Sequence, residues 1–166
     1  RLTQQHPDAD KPIRTAITDE DGIDFAIIEL LFFAYRDFTS DPDQILADYG
    51  FGRAHHRVLH FVNRRPGLTV AELIATLRVS KQSLNRVLND LIAGGYVARH
   101  PAPQDRRMRQ LSLTASGRAL ESALWAAQRP LLDRAFRNAG PEAVTGFRTI
   151  LQALTDHGPK EGVTTA

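Results

Sequence analysis

Residues 69–95 place the tightest constraint on what this chain can fold into. Thr69-Val70-Ala71-Glu72 has the spacing of a capping box, in which hydroxyl and carboxylate satisfy amides that open a helix. Leu73, Ile74 and Leu77 are the inward residues of the short helix that follows. After the three-residue turn Arg78-Val79-Ser80, Ser80 caps a second helix, whose stripe is Leu84, Val87-Leu88 and Leu91-Ile92 before Gly94-Gly95 closes it. Two short helices on so brief a turn share one core. Burying that stripe sends Lys81, Gln82, Ser83, Asn85, Arg86 and Asn89 outward.

A hairpin follows at once. Tyr96-Val97-Ala98-Arg99-His100 reads as a strand, Pro101–Met108 as a polar loop, and Gln110-Leu111-Ser112-Leu113 as the returning strand. The expected fold is mainly α with a small β-hairpin wing: a winged helix-turn-helix. Its outward side chains are types that read base edges or hold phosphates in a major groove. Ser80 and the neighbouring amides stand where a helix N-terminus meets a phosphate. Arg106, Arg107 and Arg109 at the hairpin tip suit a narrow, negative minor groove. Asp105 precedes them in the same loop. The bland alternative is an αα-hairpin with solvated polar residues.

The flanks read as helical. Residues 1–17 suggest a flexible arm, and Thr18-Asp19-Glu20-Asp21 a capped, acid-rich helix start. The helix through Ile23, Phe25, Ile27, Ile28, Leu30, Leu31, Phe32, Phe33 and Tyr35 is apolar almost all round, as expected of one inserted between neighbours at a subunit interface. Asp41-Pro42 is expected to restart a short helix that Gly50 and Gly52 break. Residues 53–64 form a helix with Ala54, Val58, Leu59 and Phe61-Val62 as its packing stripe. Thr114 caps a long helix over about 115–138, Gly140-Pro141 restarts the chain to about 156, and a flexible tail covers 158–166. The expected organisation is N-terminal dimerisation helices at 18–48, a DNA-binding domain at 51–114 and C-terminal dimerisation helices at 115–157.

Charge supports this division. The formal total over 166 residues is only +2, but residues 1–50 carry four basic and eleven acidic side chains, and residues 51–166 seventeen and eight. Within 78–110 seven Lys or Arg face Asp90 and Asp105 alone, the balance of a surface for a polyanion. The absence of cysteine excludes disulfides, cysteine-ligated metal centres and a thiol switch. No apolar run is long enough to span a bilayer and no secretory pattern opens the chain, so a soluble cytoplasmic protein without a membrane partner is expected. A Gly-rich phosphate loop, a Gly-x-Ser-x-Gly elbow and a His-Glu-x-x-His pair are all missing, which argues against an enzyme.

In element order over about residues 20–157 the chain resembles the MarR family of bacterial transcriptional regulators. The most specific stretch is Leu88-x-x-Leu91-x-x-x-Gly95-Tyr96-Val97, then Asp105-Arg106-Arg107-x-x-x-Leu111-x-Leu113-Thr114-x-x-Gly117. Residues Gly50-Phe51-Gly52-Arg53-Ala54-His55-His56-Arg57 also look like the PetP-like subgroup. The resemblance implies a homodimer on a palindromic double-stranded DNA operator, with helix 80–93 in the major groove and wing 97–113 in the minor groove. By position it implies that Arg107 enters the minor groove and that Asp105 holds the wing tip, commonly by pairing with a neighbouring arginine.

The resemblance also implies a ligand-responsive repressor, released by a small aromatic or phenolic effector. Phe33, with Phe32 and Tyr35, and His55, His56, Arg57 and His60 are the candidate lining; they could equally be plain core and interface. No cofactor is expected. His56 and His60, four apart on one helix face, leave open a metal-responsive regulator if Glu29 or Asp48 approaches in the fold. The other rival is a winged helix that docks on protein without specific DNA binding.

Overall fold

A computed structural model describes residues 25–155. The expected arm, the Thr18–Asp21 helix start and the tail from 158 lie outside the described residues. The described elements are α1 (Phe25–Ala47), α2 (Arg53–Arg64), α3 (Val70–Leu77), α4 (Lys81–Ala93), β1 (Val97–Pro101), β2 (Arg109–Leu113), α5 (Ala115–Ala139) and α6 (Pro141–Leu154). The fold is therefore mainly helical with one antiparallel hairpin, as the patterning predicts.

The chain divides into two units, Arg1–Asp37 and Phe38–Ala166. Of the first, Phe25–Asp37 is described, a helical segment on which Phe25, Ile27, Leu30, Leu31, Phe32 and Phe33 are all exposed. The Arg36 guanidinium lies 5.0 Å from the Phe33 ring centre and pairs with Asp37 at 2.8 Å.

The second unit holds the core. Leu73 from α3 meets Leu84, Leu88 and Leu91 from α4, Leu59 from α2 and Leu111 from β2, all buried. Each such leucine side chain contributes about 1.5–3 kcal/mol through its removal from water. Of the stripe expected on α2, Val58, Leu59 and Val62 are buried, Phe61 is partly so, and Ala54 is exposed.

The wing alternates as a half-buried sheet should: Leu111 and Leu113 face the core, Gln110 and Ser112 do not. Its register pairs Val97 with Leu113 and Pro101 with Arg109, one pair beyond the expected strand ends. Segment Leu68-Thr69 adds a short third edge, the Leu111 amide donating to the Leu68 carbonyl at 2.9 Å and Thr69 bridging to Gln110. Thr69 thus caps α3 and ties it to the wing.

One expectation about the helices fails. α1 runs through Pro42 without a break, although Asp41-Pro42 reads as a restart. A proline inside a helix orphans the carbonyl four residues before it. Here that carbonyl, on Phe38, accepts from Nε2 of the buried Gln128 on α5 at 3.1 Å, so the helix continues. The partner lies 90 residues away in sequence, where no local pattern announces it.

Candidate nucleic-acid interface

The outward face of α4 is built by its cap and its stripe. Ser80 Oγ accepts the Ser83 amide at 3.1 Å and donates to Ser83 Oγ at 2.9 Å, so both hydroxyls serve the cap. With Leu84, Leu88 and Leu91 turned inward, Lys81, Gln82, Arg86 and Asn89 are exposed and Asn85 half-buried. These five and Asp90 line an open depression of about 680 Å³.

A second groove, about 390 Å³, lies between α3, α4 and the wing. Lys81 and Asn85 line it from the helix, Arg99, Arg107 and Arg109 from the hairpin, over apolar side chains that include Val70, Ile74 and Met108. Four cations around one concavity raise the local potential for phosphate. Arg99 is missing from the sequence candidates; the two-residue strand period, which sets it beside Arg109 on the hairpin, is the signal that could have found it. Arg106 is exposed at the tip and Arg109 lies on β2 rather than in the tip loop.

Asp105 holds the tip in a different way from the expected arginine pairing. Its Oδ1 accepts the backbone amide of Arg107 at 2.8 Å, while its carbonyl accepts the Met108 amide at 3.0 Å. The carboxylate fixes the turn through the main chain, and this leaves the Arg107 guanidinium to the groove.

The α2 candidates part company. The His55 ring stacks on Phe51 at 4.7 Å, its Nδ1 accepts the Gly52 amide at 3.1 Å, and its Nε2 meets Asp90 Oδ2 of α4 at 3.1 Å. Arg57 borders a small apolar depression with Leu77, Val79, Ser83 and Val87, beside the helix-turn-helix. His60 Nδ1 stands 3.7 Å from Glu121 Oε1 of α5, and Asn63 donates to the other oxygen of that carboxylate at 2.9 Å. Burial pushes the His56 imidazole below its usual range, helped by His60 and opposed by Asp43. Burial does the same to His60, against the pull of Glu121. Phe33 belongs to the first unit and is exposed. Among the described residues no group of three or more His, Asp or Glu stands where it could hold a metal ion.

Comparison with known proteins gives four matches. A family model described as the MarR family matches residues 49–108. The HTH-type transcriptional regulator PetP of Rhodobacter capsulatus is 55% identical over 129 residues, covering 78% of each chain. Among solved structures, a MarR-family transcriptional regulator from Silicibacter pomeroyi superimposes with a TM-score of 0.64 at 25% identity, over 81% of this chain and 88% of that one. A mutant MarR from E. coli, solved with operator DNA, superimposes at 0.55 with 24% identity, over 79% and 97%.

Proposed function

The chain belongs to the MarR family of transcriptional regulators, and from that premise we propose that it binds a palindromic operator as a homodimer, helix 80–93 in the major groove and wing 97–113 in the minor groove. The observation that carries this reading is the groove shared by α4 and the hairpin, where Lys81, Arg99, Arg107 and Arg109 converge beside the exposed polar face of α4. The base-reading and phosphate-holding set is Ser80, Lys81, Gln82, Ser83, Asn85, Arg86 and Asn89, with Asp105 shaping the tip that carries Arg106, Arg107 and Arg109. A fold related to MarR, which has been solved with operator DNA, supports this docking. The role named for the relatives is regulatory rather than catalytic, and a regulator of bacterial type works in the cytoplasm, where the chromosome lies.

The second copy is supported by exposed apolar side chains at both ends of the described chain: Leu30, Leu31 and Phe32 on α1, and Phe147, Ile150 and Leu154 on α6. Faces this apolar are covered in a stable protein. Within the same reading, a small aromatic or phenolic anion releases the operator by favouring a dimer whose recognition helices no longer match the half-site spacing. His56 and His60 on α2 are the groups offered to it.

Selection of bound sequences from random duplexes, followed by a salt series, tests the reading. An enriched palindrome with affinity falling steeply as salt rises is expected. No enrichment and no salt dependence would identify a winged helix that docks on protein.

A further inference from the structure

Asp90 is the sole acidic residue of α4 and lies outside the candidates that the sequence offers. It lines the same open depression as Gln82, Arg86 and Asn89, and about half of its side chain is exposed. A carboxylate on a surface that meets phosphates repels them, so its presence there calls for a use.

Its surroundings supply one. Because His55 Nδ1 accepts the Gly52 amide, Nε2 carries the ring proton and donates it to Asp90 Oδ2. The imidazole is held by more than this bond: it stacks on Phe51 with 17° between planes, and Tyr96 packs edge-on against Phe51 at 5.4 Å. His55 is only 14% exposed. A clamped donor thus fixes one oxygen of Asp90, while Oδ1 has no protein partner among the described residues. An ionised carboxylate only accepts hydrogen bonds. In the major groove an acceptor-only group is matched by the exocyclic amine of cytosine or adenine, N4 or N6.

We propose that Asp90 is a specificity-determining residue that accepts a hydrogen bond from a base amino group, and that His55 is its positioning residue. This rests on the DNA-binding reading above.

The test is sequence selection with the full chain and two variants, Asp90→Asn and His55→Phe, each checked by thermal melting. In Asp90→Asn the amide oxygen takes the His55 proton and the amino group faces the groove, so acceptor becomes donor. The wild type should enrich cytosine or adenine at one half-site position, by roughly five- to a hundredfold over the alternatives. Asp90→Asn should admit guanine and thymine at that position alone, through their O6 and O4 acceptors, disfavour cytosine, and leave adenine a partner only through N7. His55→Phe keeps a ring on Phe51 but loses the donor, and should blunt the preference at that same position. An unchanged base preference in Asp90→Asn, or tighter binding to every sequence alike, overturns the proposal by making Asp90 a mere electrostatic cost. If the wild type itself enriches nothing, the DNA reading falls first and this inference with it.

Discussion

The Tyr96 carbonyl oxygen rests against the Cα of Gly117, so close that a Cβ built there would overlap it. Thr114 makes the approach: its Oγ1 caps α5 by accepting the Gly117 amide at 3.0 Å and donates to the Gly95 carbonyl at 2.6 Å. The spacing Thr114-x-x-Gly117 is thus a joint between the wing and α5. Alanine in an open helix position would stabilise by up to about 1 kcal/mol. Here Gly117→Ala should instead destabilise by about 1–3 kcal/mol, because backbone must move. Denaturant melts decide the sign, and a more stable Gly117→Ala would refute the close approach.

At the wing, Arg107→Ala should weaken DNA binding broadly and lower the salt slope by about one, because a cation withdrawn from the minor groove no longer displaces a counterion. Arg86→Ala should alter base preference instead, at about 1–3 kcal/mol per lost contact. Fluorescence titrations at several salt concentrations separate the two. Equal binding by wild type and Arg107→Ala would sink the wing assignment.

The capping box on α3 predicts an acid-sensitive contribution. Glu72 Oε2 accepts the Thr69 amide and hydroxyl, each at 2.8 Å, and these bonds hold its carboxyl below the usual range. A carboxyl depressed on folding stabilises above its unfolded value of 4.5, and that stability is lost as pH falls through the folded value. Thr69→Ala should cost about 1 kcal/mol at neutral pH, and less in acid. A cost independent of pH would contradict the mechanism.

His56 and His60 predict a second, higher window. Both are held below the ordinary value of 6.5, chiefly by burial. The unfolded chain therefore binds more protons than the fold as pH drops past 6.5, and stability falls with it. Melting temperatures should decline from about pH 7.5 to about pH 5.5. Replacing both residues with glutamine should flatten that slope. A double variant with an undiminished slope would exclude these imidazoles as its cause.

Much of this was legible in the chain because it is local. A capping box joins Thr69 to Glu72 within one turn, Ser80 caps Ser83 in the same way, and the stripe Leu84, Leu88, Leu91 follows from helical period alone. The hairpin too is a local object, closed by a turn that Asp105 shapes. Asp41-Pro42 misled for a matching reason, since the Pro42 break is repaired from α5 by a glutamine that local rules cannot see.

Apart from the continuity of α1 through Pro42, the elements, their caps and the polar face of α4 follow from neighbours a few residues apart in the chain. Packing brings together side chains that share a site: Arg99 joins Lys81 and Arg107, Arg57 lies beside the helix-turn-helix, and His55 reaches Asp90 across 35 residues. Those pairings depend on the angles at which helices and hairpin pack around Leu59, Leu88 and Leu111. Periodicity tells which face of an element is buried but not which neighbour buries it.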